Sequence, residues 1–279
     1  MSKTILITGA TGKQGGATLH NLLGKGFQLR ALTRKPDSDA ARALFGNGVE
    51  VVPGDLNDAG SLAQALAGAW GVYAVQNTWE AGVTLEEEQG KRIAQLAHDA
   101  GVQHFVYSSV GSAHRETGIP HFENKSRVEE TVRSLKFPST VILRPVFFME
   151  NLLSPGFMHG NSIVSTLQPT TRLQMIAVED IGVFGAMAFT HADQLNGREL
   201  DIAGDSVTLP DAAAILGRAL GRPIDYVRIP LDEVRKHSED MAMMLEWFDR
   251  VGYDADITGL EREFGVRLQS LEAWARKQV

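Results

Sequence analysis

Short apolar segments alternate with amphipathic segments along the first half of the chain. The β-branched run at residues 4–8 predicts a buried strand, and the spacing of apolar residues over 17–23 predicts a helix. The same two patterns recur, with strands expected at 27–33, 49–53, 71–75, 103–108 and 139–143 and helices at 39–45, 61–66, 86–100 and 124–135. This alternation predicts the α/β class, with a doubly wound parallel sheet that is covered by helices on both faces.

The alternation weakens after Pro145. Residues 151–172 are rich in Gly, Pro, Ser and Thr, and this composition predicts a long loop. The elements expected beyond it are strands at 173–178, 199–202 and 224–229 and helices at 179–190, 210–220, 231–236, 239–251 and 271–277. We therefore expect a larger domain over residues 1–145 and a smaller α/β lobe over residues 146–279. The lobe is expected to pack against the first domain as one compact unit, beyond the carboxyl ends of the sheet.

Composition narrows the range of possible functions. The 279 residues include 27 Lys and Arg against 34 Asp and Glu, so no basic excess favours direct nucleic-acid binding. The chain has no cysteine, which excludes disulfides, thiolate catalysis and cysteine-based metal sites. Its eight histidines show no metal-ligand spacing, so we expect no metal ion. The N-terminus lacks the pattern of a signal peptide, and no apolar run is long enough to span a bilayer. We therefore expect a cytoplasmic protein with no membrane contact.

A glycine-rich segment follows the first strand. Gly9, Gly12 and Gly15 have the spacing Gly-x-x-Gly-x-x-Gly and stand directly before a helix. Gly9 permits a tight turn, Gly12 lets the backbone approach a pyrophosphate, and Gly15 allows close packing of helix and strand. The N–H groups at the start of the helix would face the anion. This context predicts a Rossmann-type dinucleotide site, and a glycine-rich turn without a ligand is the alternative.

The end of the second strand bears on the choice between NAD and NADP. An NAD site has an acid there to bind the ribose 2′-hydroxyl, whereas this strand is followed by Arg34 and Lys35. Two cations suit a 2′-phosphate and predict NADP(H), although a pair of solvated surface charges is the alternative. Asp55, after the third strand, stands where such folds hold the adenine, and the alternative is a turn-forming residue.

Several motifs together resemble the NmrA-like family of atypical short-chain dehydrogenase/reductases. These are GATGKQGG at 9–16, TRKP at 33–36, GDLND at 54–58, QNTWE at 76–80, HFENKSRVEE at 121–130 and MENLL at 149–153. The resemblance covers most of the chain and is strongest over residues 4–155. It is closest to NADPH redox-sensor proteins of the family, with bacterial NADPH-dependent quinone and dye reductases nearby.

The resemblance implies a role for each matching residue. Residues at the pyrophosphate would be Gly9, Thr11, Gly12, Lys13, Gln14 and Gly15, and Arg34, with Lys35 beside it, would hold the 2′-phosphate. Asp55 and Leu56 would lie at the adenine, Gln76 and Asn77 beside the ribose, Lys125 at the nicotinamide ribose, and Phe148 and Asn151 at the nicotinamide.

The candidate catalytic residues are Ser108, His121 and Lys125. Typical members of the wider superfamily use a serine and the motif Tyr-x-x-x-Lys, in which the lysine lowers the pKa of the tyrosine. This chain has His121 where the tyrosine would stand. The alternatives are that Ser108 satisfies backbone groups in a turn and that His121 is a surface residue at a helix start. The run Glu86 to Glu88 is interpreted as a helix start that complements the helix dipole.

Two functions follow from these residues. The expected one is a nucleotide-sensing regulator with weak or no dehydrogenase activity, because His121 replaces the tyrosine. The alternative is an NADPH-dependent reductase of quinones or other conjugated planar substrates, favoured by apolar residues such as Phe147 and Met158. The expected partners are NADPH and either a small planar substrate or a regulatory protein, and the chain is expected to be a monomer or a homodimer.

Overall fold

The computed structural model describes residues 2–278. The strands are β1 (Thr4–Ile7), β2 (Gln28–Thr33), β3 (Glu50–Pro53), β4 (Gly71–Ala74), β5 (His104–Ser108), β6 (Ser139–Pro145), β7 (Phe147–Phe148), β8 (Met158–His159), β9 (Ser162–Ser165), β10 (Arg172–Ile176), β11 (Arg198–Ile202), β12 (Asp205–Thr208) and β13 (Asp225–Arg228). The helices are α1 (Lys13–Leu22), α2 (Asp39–Gly46), α3 (Ala59–Leu66), α4 (Thr78–Ala81), α5 (Val83–Asp99), α6 (Pro120–Leu135), α7 (Val178–Thr190), α8 (Ala192–Leu195), α9 (Leu209–Leu220), α10 (Leu231–Arg235), α11 (Glu239–Arg250), α12 (Ile257–Phe264) and α13 (Leu271–Ala275). Short 3-10 turns occupy Ala113–Arg115, Met149–Leu153 and Arg276–Gln278.

The largest sheet that the described residues form has seven strands in the order β11-β6-β5-β4-β1-β2-β3. Strand β1 pairs in parallel with both β2 and β4, and the pairs β2–β3, β4–β5 and β5–β6 are parallel as well. The chain therefore runs outward from β1 in both directions, and the carboxyl ends of β1 and β4 mark the point where the strand order reverses. The predicted doubly wound parallel sheet is confirmed.

The chain forms two compact units, each made of three stretches. Unit 1 consists of the stretch that ends at Ser109, Asn124–Arg144 and Ile181–Leu200. Unit 2 consists of Val110–Glu123, Pro145–Asp180 and the stretch that begins at Asp201. Helix α7 and strand β11, which the sequence analysis assigned to the C-terminal lobe, thus contribute most of their residues to unit 1. The predicted domain boundary after residue 145 stays a prediction.

One face of the large sheet is covered by apolar residues of three helices in unit 1. The cluster comprises Leu62 and Leu66 from α3, Ile93 and Ala97 from α5, Val128 and Val132 from α6, and the strand residues Leu6, Val72 and Phe105. All of these side chains are buried, because each helix carries its apolar residues on the stripe that faces the strands. Burial of this stripe is what holds α3, α5 and α6 against the sheet.

Helix α7 packs closely on α1 within unit 1. A Cβ atom at Gly182 would lie 2.6 Å from the backbone carbonyl of Ala17, and one at Gly185 would lie 2.3 Å from the Thr18 hydroxyl oxygen. Neither distance is possible for a side chain, so the two helices approach through glycine. Sequence periodicity predicted α7 as a helix, but the glycines set its distance from α1.

Unit 2 contains two small sheets, β12-β10-β7 and β13-β9-β8, as far as residues 2–278 describe them. The stretch 151–172, predicted to be rich in loops, also contains the short strands β8 and β9. Strand β9 pairs in parallel with β13, and Ile163 lies opposite Tyr226. Strands β8 and β9 lie among Gly, Pro and Ser residues that predict turns, and the pairing of β9 with β13 depends on a segment far along the chain.

The start of α1 differs from the starts of the three helices that follow it. Helices α2, α3 and α4 begin after Ser38, Asp58 and Asn77, and the side-chain oxygen of each accepts a hydrogen bond from a backbone N–H of the first turn. Helix α1 begins after Gly12, which has no side chain to do so. The first N–H groups of α1 therefore remain available to another acceptor.

Gly182→Ala is expected to lower the free energy of unfolding by about 1–3 kcal/mol, because the added methyl group would overlap the backbone of α1. Urea denaturation measures this change. Gly46→Ala is the matched control, since a Cβ there meets no heavy atom within 4 Å. We expect the control to be neutral or stabilising by up to about 1 kcal/mol. Equal effects of the two substitutions would contradict the close contact between the helices.

Candidate functional site

The glycine-rich loop forms a tight turn at the end of β1. Gly9 has a φ of +59°, which is the left-handed region, and its carbonyl accepts a hydrogen bond of 2.9 Å from the N–H of Gly12. A Cβ at Gly15 would lie 2.4 Å from the carbonyl oxygens of Thr8 and Gly9. The loop therefore has the tight turn and the close helix–strand packing that the motif predicts. Thr11, Gly12 and Lys13 are exposed beside the uncapped start of α1.

Ser108 and Gln14 connect the end of β5 to this loop. The buried Ser108 hydroxyl donates a hydrogen bond of 2.6 Å to the side-chain oxygen of Gln14. Thr8 similarly joins β1 to β4, since its hydroxyl donates to the Val75 carbonyl at 2.9 Å and accepts from the Val75 N–H at 2.8 Å. The carboxyl ends of three neighbouring strands are thus tied together. The Ser108 hydroxyl pairs with a side chain of the loop rather than with backbone groups of a turn.

Arg34 is exposed directly after β2 and forms an ion pair with Glu80 of α4. One terminal nitrogen of Arg34 donates to both carboxylate oxygens, at 3.0 and 3.1 Å. Lys35 is exposed beside it, and its backbone N–H donates to the Thr33 hydroxyl at 3.1 Å. Sequence reasoning missed Glu80, because the two partners lie 46 residues apart and no local pattern links them.

Asp55 and Leu56 form the turn after β3. The Asp55 carboxylate accepts a hydrogen bond of 2.8 Å from the N–H of Asn57, as expected for a turn-forming aspartate. The Leu56 carbonyl accepts from the Arg92 guanidinium at 2.8 Å, and its side chain packs on the apolar cluster. The turn-forming role of Asp55 is therefore observed, and the adenine contacts of both residues stay a prediction.

Gln76 and Asn77 follow β4 and differ in how their side chains are used. The Asn77 side chain accepts a hydrogen bond of 3.2 Å from the N–H of Trp79 and so caps α4. Gln76 is buried, and among the described residues neither its amide nitrogen nor its amide oxygen has a hydrogen-bond partner. Buried polar atoms of this kind normally find a partner, so Gln76 has unused capacity for a polar ligand.

Lys125 lies on α6 and forms an ion pair with a buried carboxylate of α5. Its ammonium nitrogen is 2.8 Å from a carboxylate oxygen of Glu86, and the two side chains are 10% and 1% exposed. The other oxygen of Glu86 accepts hydrogen bonds from the Asn124 amide, at 2.8 Å, and from the Thr78 hydroxyl. Burial alone would raise the pKa of Glu86, but the Lys125 charge and these hydrogen bonds outweigh it, so the pKa lies below its ordinary value.

Glu86 lies in the first turn of α5, as its interpretation as part of a helix start predicts, but its side chain is buried. Helix α5 already begins at Val83, and its buried residues include Glu86, Gln89, Gly90, Ile93 and Ala97. Glu86 therefore occupies the apolar stripe at helical spacing. The helical spacing of Glu86 from Ile93 and Ala97 was the signal in the sequence that could have predicted its burial. An acid on the apolar face of a helix is buried and requires a partner.

His121 belongs to unit 2 and is paired with Asp240 of α11. The ring Nδ1 lies 2.5 Å from one oxygen of Asp240, and the His121 backbone N–H donates to the other oxygen at 3.0 Å. Burial would raise the pKa of Asp240, but these contacts with His121 lower it below its ordinary value. The interpretation of His121 as a surface residue is wrong, because it is 6% exposed and its ring is oriented by a carboxylate.

The remaining predicted residues also lie in unit 2. Phe148 is half-buried in β7, and the Asn151 carbonyl accepts a hydrogen bond of 3.0 Å from the Ser154 N–H in a 3-10 turn. Their contact with nicotinamide stays a prediction. Over residues 2–278 no group of three or more His, Asp or Glu side chains is arranged to hold a metal ion. No helix in this range combines the length and apolarity that crossing a membrane requires.

The strand order, the glycine turn after β1 and the uncapped start of α1 define the Rossmann-type nucleotide-binding fold. The NmrA-like family model matches residues 1–277, and the chain belongs to this family.

Two curated relatives illustrate the similarity. A (4-alkanoyl-5-oxo-2,5-dihydrofuran-3-yl)methyl phosphate reductase from Streptomyces griseus subsp. griseus is 31% identical over 235 residues, which is 83% of this chain and 79% of the relative. The NmrA-like family domain-containing oxidoreductase FrzB from Cladobotryum sp is 35% identical over 165 residues, which is 55% of this chain and 49% of FrzB. The chain thus spans about half the length of FrzB and of several similar fungal relatives.

Solved structures share the fold at lower sequence identity. The triphenylmethane reductase of Citrobacter sp., complexed with NADP(H), has a TM-score of 0.81 at 21% identity, with 99% of each chain covered. The NADPH-dependent quinone oxidoreductase of Escherichia coli, complexed with NADPH, has a TM-score of 0.82 at 22% identity, covering 98% of this chain and 99% of the other. NmrA, a negative transcriptional regulator solved in complex with NADP, has a TM-score of 0.80 at 22% identity, covering 99% and 95%. NmrA has also been solved with NAD.

Glu86→Gln is expected to lower the free energy of unfolding at pH 7 by about 3–5 kcal/mol, because the Lys125 ammonium loses its buried counter-charge. The pKa of Glu86 is lower in the folded chain than its ordinary value of 4.5. The carboxylate therefore stabilises the fold fully above that value, and the contribution is lost as the pH falls through the folded pKa. Urea denaturation across this pH range measures the loss.

Glu88→Gln is the control, since Glu88 is an exposed carboxylate of the same helix. We expect it to change the free energy of unfolding by less than about 0.5 kcal/mol. A deficit of Glu86→Gln that stays constant from pH 7 into the acid range would contradict the charged pair.

Proposed function

We propose that the chain binds NADP(H) at the carboxyl ends of β1, β2 and β4. The residues present fit a dinucleotide, because a side chain at Gly9 or Gly15 could not be accommodated and the first N–H groups of α1 have no side-chain cap. In this proposal the pyrophosphate is held by Gly9, Thr11, Gly12, Lys13, Gln14 and Gly15. Asp55 and Leu56 lie at the adenine, Gln76 and Asn77 beside the ribose, and Phe148 and Asn151 at the nicotinamide.

The preference for NADP(H) over NAD(H) rests on the cations after β2, and this is the observation that carries the proposal. Arg34 stands where an NAD site has an acid, and Lys35 adds a second exposed cation. The Arg34 guanidinium already holds a carboxylate through two hydrogen bonds, which supports its capacity to hold a 2′-phosphate.

We further propose that the protein is an NADPH-dependent reductase of a conjugated, planar substrate. When bound, NADPH supplies hydride to such a substrate. The support is Lys125, whose ammonium is fixed by a buried carboxylate at 2.8 Å and would donate to the hydroxyls of the nicotinamide ribose. FrzB is named as an oxidoreductase, and the Streptomyces relative is named as a reductase of an oxo-dihydrofuran compound.

His121 is proposed as the residue that holds a proton for this reaction. It takes the place of tyrosine in the motif His121-x-x-x-Lys125. Histidine exchanges a proton near neutral pH, and a carboxylate at Nδ1 fixes the tautomer so that Nε2 is the exchanging atom. Asp240 lies in position to do this, because its oxygen is 2.5 Å from Nδ1. Ser108, bonded to Gln14, is proposed to orient the loop beside the reacting groups.

A nucleotide-responsive regulator is the second candidate. It is favoured by the absence of the tyrosine at position 121 and by the shared fold with NmrA, which is described as a negative transcriptional regulator. In this case binding of the nucleotide would change the affinity for a protein partner. The change is limited by the difference in nucleotide affinity between the two conformations.

Arg34→Ala is expected to weaken NADPH binding about tenfold to hundredfold, because a charge-assisted contact contributes roughly 1.5–3 kcal/mol. NADH affinity should stay unchanged, since NADH lacks the 2′-phosphate. Calorimetric titration of both nucleotides measures the effect. Arg276→Ala serves as the control. Arg276 lies in unit 2, in the 3-10 turn that follows α13, and is an exposed arginine that forms an ion pair with Glu272. Parallel losses for NADPH and NADH would refute the assignment of NADP(H).

Oxidation of NADPH with a panel of quinones, cationic dyes and enones is expected to show turnover with at least one acceptor. Lys125→Met should then lower kcat/KM by about a hundredfold or more, because the positioned ammonium is lost. Lys91→Met is the control, since Lys91 forms an ion pair with Glu87 on the surface of α5. Tight NADPH binding without oxidation by any acceptor would reject the reductase and favour the regulator.

A further inference from the structure

Arg34, the residue proposed to recognise the 2′-phosphate, already has an anionic partner. Its guanidinium donates to both carboxylate oxygens of Glu80, at 3.0 and 3.1 Å, and the two side chains are 58% and 62% exposed. Glu80 lies on α4, the single-turn helix that follows β4. The pair is therefore a contact between two segments at the same edge of the sheet, and solvent can reach both partners.

We infer that Glu80 is a specificity-determining residue whose carboxylate competes with the ribose 2′-phosphate for Arg34. This inference rests on the proposed binding of NADP(H). It goes further by naming a residue to which the sequence analysis assigned no role, and by assigning it an effect opposite to that of Arg34. Arg34 favours NADPH, and Glu80 reduces the advantage that Arg34 provides.

The competition follows from the chemistry of the two anions. Glu80 occupies one terminal nitrogen of Arg34 with both of its carboxylate oxygens, so a phosphate that takes this nitrogen must displace Glu80. A phosphate monoester carries a charge of about −1.5 to −2 at neutral pH, against −1 for a carboxylate, so the nucleotide displaces Glu80. Exposed ion pairs are weak, so the pair opens at small cost.

Binding of NADH does not require the ion pair between Arg34 and Glu80 to open. Without a 2′-phosphate, the ribose presents neutral hydroxyl groups, which do not compete with the Glu80 carboxylate for the guanidinium. The affinity for NADH is therefore not reduced by Glu80, whereas the affinity for NADPH is.

Displacement of Glu80 acts on a segment that also reaches Lys125. Helix α4 is closed by a hydrogen bond of 2.7 Å from the Gly82 N–H to the Thr78 carbonyl. The Thr78 hydroxyl donates to Glu86, the carboxylate that holds Lys125. Recognition of the 2′-phosphate and positioning of the lysine thus share one short segment. Trp79, which is 63% exposed and adjacent to Glu80, lies within it.

Titration calorimetry with NADPH and NADH tests the inference on the wild type, Glu80→Gln, Arg34→Ala and the double variant. We expect Glu80→Gln to tighten NADPH binding about twofold to fivefold, in line with the strength of an exposed pair, and to leave NADH unchanged. In the Arg34→Ala background the same substitution should not change the affinity for NADPH, because the guanidinium for which the two anions compete is absent. Tightening of equal size in both backgrounds would show plain repulsion between Glu80 and the phosphate and would overturn the inference.

Glu50→Gln is the matched control. Glu50 of β3 forms an ion pair of 2.7 Å with Arg30 of β2, away from the carboxyl ends of the two strands. Glu50→Gln removes one negative charge, as Glu80→Gln does, and should leave both affinities unchanged. Glu80→Gln that leaves NADPH affinity unchanged or weakens it also overturns the inference. Failure of the wild type to bind NADPH, or an affinity that does not depend on Arg34, would instead refute the proposed function.

Tryptophan fluorescence gives a second readout that does not depend on affinity. NADPH should change the emission of Trp79, because displacement of Glu80 alters the environment of the neighbouring residue, whereas NADH should change it less. The difference between the nucleotides should vanish in Glu80→Gln and in Trp79→Phe. A difference that persists in Glu80→Gln would show that Glu80 is not displaced, and would contradict the inference.

Discussion

Unit 1 of this protein depends on one close approach between α1 and the end of β1. A Cβ at Gly15 would lie 2.4 Å from the carbonyl oxygens of Thr8 and Gly9, so the helix reaches the strand only because this residue is glycine. That position places the uncapped start of α1 at the carboxyl edge of the sheet and brings Gln14 within 2.6 Å of Ser108. It also sets where α7 can pack, because α7 approaches α1 through glycines of its own.

Charged groups in unit 1 fall into two kinds, and burial separates them. Glu86 with Lys125 and Glu129 with Arg144 are buried pairs, with separations of 2.8 and 2.6 Å. Removal of one partner from such a pair leaves an uncompensated charge in an apolar environment, so these pairs keep their geometry. Arg34 with Glu80 is exposed to water and opens readily. The fold therefore fixes the lysine and leaves the arginine exchangeable.

The sequence predicted the features that arise from local patterns. Strands β1 to β6, the helices of matching period between them and the glycine turn each produce a signal within a few residues. The pairing of β9 with β13 escaped prediction, because Ile163 meets Tyr226, a residue far along the chain, only after folding. The partners of the charged residues escaped for the same reason. Asp240 lies 119 residues from His121, and no sequence pattern near either residue predicts their contact. The register of Glu86 on α5 was visible in the sequence, but only its position at the helix start was predicted and not its burial.

The seventh strand of the large sheet has a consequence for how the chain is made. Strand β11 lies beside β6, and its Glu199 accepts hydrogen bonds from Arg133 and Arg144. Glu199 follows Arg144 by 55 residues, so at ordinary rates of translation it leaves the ribosome roughly 3–11 s later. During that interval the nascent sheet ends at β6 with an unpaired edge, which is a template for pairing with another strand. The edge of β6 is therefore covered only after β11 has been synthesised.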